Sequence, residues 1–217
     1  IGTSSWLQVS AGWLQSAAIR SDNLLFTWGF NAYGQLGLSD LLARNSPTQV
    51  GIIPYFPSPV QIGTKTWSAV SIFIHSLGID TDGYLWAWGN GALGGLGDGT
   101  TVSKSSPVQI GTYKYSYISV HDQSSFAIRA DGALFAWGNN SSGQLADGTS
   151  TNKSSPIQIG TSSWSQIFAS RLCLFAIRSD STLWASGDNT SGRLGNGTAL
   201  STSSPVQIGT SSWTKVG

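Results

Sequence analysis

Glutamate and methionine are absent from the 217 residues, and all 10 acidic residues are aspartate. Both missing types are good helix formers, whereas aspartate favours caps and turns, so a mainly helical protein is excluded. Charge is scarce too, at 10% of residues, against roughly 25% in an ordinary soluble domain. The net charge of +1 and the singly scattered Lys65, Lys104, Lys114, Lys153 and Lys215 remove the electrostatic case for nucleic acid or an anionic membrane surface. A single cysteine, Cys173, rules out an intrachain disulfide and a multi-cysteine zinc site. No apolar run approaches the roughly 18 residues of a membrane span and no signal peptide is evident, so no membrane insertion is expected. Ile1 is not an initiator methionine, which predicts a processed chain or part of a longer one.

What remains is rich in turns and aromatics: 27 glycines, 10 tryptophans and 40% hydrophobic residues, enough to bury a core. The organisation is an internal repeat. SSPVQIGT occurs at Ser105 to Thr112 and Ser203 to Thr210, SSPIQIGT at Ser154 to Thr161, and SPVQIGT at Ser58 to Thr64. The isoleucines Ile62, Ile110, Ile159 and Ile208 lie 48, 49 and 49 residues apart. SPTQVG at Ser46 to Gly51 places Val50 49 residues after Ile1 and 12 before Ile62. This predicts one domain over 1–217 with repeats at about 1–50, 62–110, 111–159 and 160–208, an insertion at 51–61, and a fifth repeat beginning at 209–217.

Each unit carries an aromatic-led run, a hairpin, a glycine-rich loop and the SPVQIG strand. The hairpin is clearest from Ser125 to Gly138, where Asp131-Gly132 supplies the positive φ angles of a two-residue turn. In Leu85, Trp86, Ala87, Trp88 the alternation places apolar side chains on both faces, as in a sheet covered on both sides rather than one. The expected fold is therefore all-β, a propeller of four-stranded antiparallel blades repeating every 49 residues or so. A sandwich or β-solenoid is the alternative.

The His75-Ser76 hairpin start, the turn aspartates, Gly89-Asn90, Gly138-Asn139-Asn140, Gln35-Leu36-Gly37 and Leu96-Gly97-Asp98-Gly99-Thr100 resemble the regulator of chromosome condensation repeat across essentially the whole chain. The regular serine-rich style looks like bacterial and bacteriophage members. Ser186 in place of the AWG tryptophan, Ala146 in place of the GQLG glycine, and Gly95 and Arg193 in place of its glutamine depart from the pattern as drift in a scaffold. The resemblance implies a propeller usually of about seven blades, so four units suggest a small ring, a partial array, or one completed by another copy. It also implies a small-GTPase exchange factor as one possible activity. The 51–57 insertion has no acidic residue to support that activity.

Chemistry is sparse. Gly89, Gly91 and Gly94 spell GxGxxG with no helix pattern after them, and Asp98-Gly99-Thr100 and its copies read as backbone-satisfying turns rather than calcium ligands. His75 and His121 lack partners at metal or triad spacing and read as polar loop or blade-edge residues, with Cys173 a small packing residue. No cofactor, metal or catalytic residue is expected, and the chain reads as a non-enzyme.

Comparison of the repeats shows variation concentrated between the first two strands, where Trp13, Phe73, His121 and Arg171 stand. In a propeller these turns gather on one face, and such residue types anchor protein interfaces. Neutral drift in an exposed turn is the competing reading. The nearly interchangeable IGTSSW segments at 1–6 and 208–213 suggest self-association through open terminal blades. Asn139, Asn140, Asn152, Asn189 and Asn196 satisfy the glycosylation rule, a weak signal in a chain this rich in Ser and Thr. The favoured function is an interaction scaffold, extracellular, on a cell surface or on a virion; the alternative is a regulatory propeller acting on a small GTPase.

Overall fold

The computed structural model describes residues 5–49 and 65–216, so the expected insertion lies outside the described residues. No α-helix occurs among these residues. The first blade is β1 (Trp6–Ala11), β2 (Gln15–Arg20), β3 (Leu25–Gly29) and β4 (Arg44–Gln49), paired antiparallel in that order. β5 (Trp67–Ile72), β6 (His75–Asp80) and β7 (Tyr84–Gly89) follow, then β8 (Lys104–His121). β9 (Ser124–Arg129) and β10 (Ala133–Gly138) lead to β11 (Lys153–Ser170). β12 (Cys173–Arg178), β13 (Leu183–Gly187) and β14 (Thr202–Gln207) complete the set.

The blades have four antiparallel strands as expected, but the outer strand of one blade runs unbroken into the first strand of the next, where short strands were expected. β8 and β11 are each 18 residues long. Their first halves pair with β7 and β10 as outer strands, and their second halves pair with β9 and β12 as the first strands of the next blades. The sheet is therefore continuous from β5 to β14. Gly111 and Gly160 mark the passage from one blade to the next at φ of 64° and 59°, a left-handed conformation that a side chain resists. The IGT of the repeat is a bend within a strand.

The cores lie between blades. Leu85 and Ala87 of β7 face forward onto Tyr115, Ile118, Phe135 and Trp137, while Trp88 faces back onto Leu36, Trp67 and Val70. A matching cluster of Phe126, Ile128, Leu145, Trp164 and Ile167 joins the third blade to the fourth. Both faces of a blade are apolar because both are covered, as the alternation in the sequence required.

Three backbone-directed contacts hold successive blades in register. The leading aromatic of the second, third and fourth blades donates its N–H to the preceding hairpin turn: Trp67 to Asn23 O at 2.9 Å, Tyr115 to Gly83 O at 2.8 Å and Trp164 to Gly132 O at 2.8 Å. Trp213 repeats this with Ser181 O at 2.9 Å. Serines of the first strands accept from the next blade, with Ile72 N on Ser10 Oγ, Val120 N on Ser71 Oγ and Ala169 N on Ser119 Oγ. Finally, the AWG indole and a serine of the second strand converge on one carbonyl of the preceding glycine-rich loop. Trp88 Nε1 and Ser76 Oγ donate to Gln35 O, both at 3.0 Å, and Trp137 Nε1 and Ser125 Oγ to Gly95 O at 3.0 and 2.7 Å. In the fourth blade Ser186 replaces the tryptophan and keeps one of the two bonds, at 3.4 Å to Gln144 O.

Candidate protein-binding face

Because strands alternate in direction, the turns after the first strands emerge on the same face as the glycine-rich loops. The short β8–β9 turn, with Asp122 at φ 52°, leaves His121 beside the neighbouring blade. Its ring stacks on Phe73, with centroids 4.2 Å apart and planes 24° from parallel. His121 Nδ1 is enclosed without a hydrogen-bond partner. Burial pushes the His121 pKa below its usual value; the Asp122 charge opposes that shift and the Arg171 charge adds to it. Phe73, His121 and Arg171 thus form a row across three blades, with Arg171 exposed at one end. On the first blade, Gly12 meets the Phe73 backbone and has no room for a Cβ, since Phe73 O would lie 2.8 Å away. The adjacent Trp13 is 65% exposed beside exposed Leu14.

The glycine-rich loops on this face are built around a buried asparagine. Asn140 Nδ2 donates to Asp147 Oδ1 and to the carbonyls of Thr149 and Thr151, while its Oδ1 accepts from Leu145 N. Asn189 does the same with Asn196, Thr198, Leu200 and Leu194, and Asn31 with Asp40, Leu42 and Leu36. This corrects the glycosylation reading at three of the five asparagines: Asn140 and Asn189 are fully buried and Asn139 nearly so, leaving no room for a sugar. Asn152 is exposed and Asn196 half-buried, both with Oδ1 engaged. Asn140→Ala is expected to cost about 2 kcal/mol by urea denaturation, because it leaves buried loop carbonyls without donors.

The loop aspartates accept hydrogen bonds within their own turns. Asp98 and Asp147 accept from the N–H and hydroxyl of Thr100 and Thr149 and pair with Lys104 and Lys153. No cluster of three or more potential metal ligands occurs among the described residues. His75 is a correction: it is no loop or blade-edge residue but lies fully buried between blades, with Nε2 2.6 Å from Ser125 Oγ. A nucleophilic role for this pair is closed off, since Ser125 is itself fully buried and donates to Gly95 O. Cys173 is buried, and burial raises its thiol pKa, which suits a packing residue.

The regulator of chromosome condensation (RCC1) repeat model matches residues 22–64, 82–128 and 131–177, more than half of the chain, and a second model of the same repeat matches 6–35. The chain belongs to the RCC1 repeat family. Its matched units start near a hairpin tip, so the units at 82–128 and 131–177 each span parts of two blades. The ultraviolet-B receptor UVR8 of Arabidopsis thaliana is 35% identical over 100 residues, which are 46% of this chain and 21% of the receptor. Human WBSCR16 superposes with a TM-score of 0.78 at 25% identity, covering 94% of this chain and 52% of that one. Prp20p from Saccharomyces cerevisiae, a protein with binding properties to Gsp1p and histones, gives 0.78 at 16% identity, covering 97% and 52%. These matches establish the RCC1-type β-propeller fold, and this chain spans about half of each solved propeller. All three relatives are eukaryotic, so the bacterial or bacteriophage style of the repeats gains no support from them.

Proposed function

We propose that this RCC1-repeat chain is a non-enzymatic scaffold that binds a protein partner through the row Trp13, Phe73, His121 and Arg171. The observation that carries the reading is the Phe73–His121 stack between adjacent blades. It joins two of the variable turns across a blade boundary, and the corresponding turns of the flanking blades carry the exposed Trp13 and Arg171. Such residues dominate binding energy at protein interfaces. The combined variant Trp13→Ala, Phe73→Ala, Arg171→Ala is expected to fold normally and to lose at least tenfold in affinity for proteins captured by the parent chain. Unchanged capture and affinity would sink the proposal.

Self-association is a second reading with its own observation. Leu7 and Val9 are 63% and 65% exposed on the first blade, although Val70, Ile118 and Ile167 at the Val9 position of other blades are buried. At the other end, Gln166 holds Thr214 O and Val216 N as an incoming first strand. A second copy supplies a matching pair of faces, and size measurement by light scattering tests this: a monomer at all concentrations rules it out. A small-GTPase role rests on fold likeness to Prp20p and is the weaker reading, checked by nucleotide-exchange assay. We place the scaffold outside the cell or on a particle surface on the strength of its low charge, a placement that fractionation of the source cells tests.

A further inference from the structure

A second candidate site lies between the third and fourth blades, beside the Gly160 bend in the middle of β11. The position before the hairpin turn is arginine in three blades: Arg20, Arg129 and Arg178 each pair in register with the leading aromatic, and Asp80 stands there in the second blade. Arg20 and Arg129 are neutralised by the aspartate two residues on. Arg20 Nε and Nη2 donate to Asp22 at 3.0 and 2.6 Å, and Arg129 Nε and Nη2 to Asp131 at 2.9 and 2.6 Å.

Arg178 also has its aspartate, Asp180, but that carboxylate is turned elsewhere. Thr182 takes Asp180 Oδ1 with its hydroxyl at 2.6 Å and its N–H at 3.0 Å. The equivalent residues Leu24 and Ala133 have no hydroxyl with which to compete. Arg178 consequently makes no ion pair among the described residues. Its guanidinium lies instead on the Trp184 ring, 3.6 Å from the centroid, and 5.1 Å from that of Trp164. Arg178 Nε and the Trp164 indole N–H are both enclosed and without acceptors.

Both residues line a cleft of about 360 Å³ with Asp147, Gly148, Gly160, Ser162 and Ser204, a size in the range of ligand sites. Two enclosed donors, one of them on a guanidinium that makes no ion pair among the described residues and is held flat by an aromatic ring, call for an anionic acceptor. Asp147 in the lining disfavours a multiply charged phosphate, while a carboxylate matches the single positive charge and the planar fork of the guanidinium. We propose that this cleft is a carboxylate-binding site, with Arg178 as the cation, Trp164 as a second donor, and Thr182 keeping the site open by occupying Asp180.

The test is NMR titration of the ¹⁵N-labelled full chain, following the Trp164 indole signal assigned with Trp164→Phe. The probes are sodium acetate and a peptide, acetyl-Gly-Glu-Gly-amide, whose one carboxylate is the glutamate side chain. A saturating shift is expected, abolished in Arg178→Gln and weakened at least tenfold in Thr182→Ala, which returns Asp180 to the arginine as Asp131 is held in the third blade. Peptide binding at least tenfold tighter than acetate marks a protein carboxylate as the ligand; equal affinities mark a free small carboxylate. No saturating shift with either probe overturns the site, as does affinity unchanged in Thr182→Ala or matched by sodium phosphate at equal ionic strength.

Discussion

Trp137→Ala is expected to lower the free energy of unfolding by about 3–5 kcal/mol, the usual cost of emptying a large buried aromatic site, read from urea denaturation. The side chain is fully buried. Its indole packs under Gly97, where an added Cβ would come within 2.6 Å of Nε1, so the loop backbone is shaped to this ring and has no side chain with which to refill the space. The substitution also removes one of two donors to Gly95 O, but Ser125 Oγ remains at 2.7 Å. Most of the loss is therefore packing, and Trp137→Phe is expected to cost nearer 1 kcal/mol. Trp28 stands at the same position in the first blade and is only half-buried. Trp28→Ala is expected to have a clearly smaller effect, and equal losses at the two positions would show that packing between blades is not what Trp137 supplies.

The same contrast shows what could be read from the residues. Period-2 alternation with apolar side chains on both faces required each sheet to be covered twice, and that is how Leu85, Ala87 and Trp88 are used. Aspartate-glycine pairs located the turns, since their geometry is local. The fusion of outer and inner strands in β8 and β11 was hidden, because proline in SPVQIG and glycine in IGT look like boundaries. Here Gly111 bends the chain without ending its pairing. The turn face was legible as variation between repeats, but the Phe73–His121 stack needed the angle between blades. The buried role of Asn140 was missed in favour of a surface motif, although a hint lay in its recurrence as Asn31 and Asn189 at the start of each of three loops. Arg178 was overlooked because its freedom depends on which neighbour Asp180 chooses, a competition among short hydrogen bonds that the sequence does not order.

Acidification is expected to remove about 3 kcal/mol of stability between pH 6.5 and about 4 through His75 alone. Burial pushes this histidine from 6.5 down to about 4, against a smaller upward pull from the Asp122 backbone. The cause is visible in the proton arrangement. Gly95 O can only accept, so the Ser125 hydroxyl points its hydrogen there and receives the hydrogen of His75 Nε2 at 2.6 Å. The ring is thus neutral with its proton on Nε2, and a second proton on Nδ1 would sit in an enclosed place with no hydrogen-bond partner. Because the folded pKa is below the unfolded one, the unfolded chain binds the extra proton first. The stability is complete above 6.5 and falls as pH drops toward the folded value. His121 is depressed as well and adds in the same direction, so the two are separated by substitution. Gln15 occupies the His75 position in the first blade, and His75→Gln in the parent and in His121→Gln should flatten the pH dependence of the urea midpoint over this window. The carboxylates of Asp98 and Asp147, held below their usual range despite burial by threonine and lysine donors, lose their contributions at lower pH. A midpoint that still falls as steeply from pH 6.5 to 4 in the double variant would place the acid sensitivity outside the histidines.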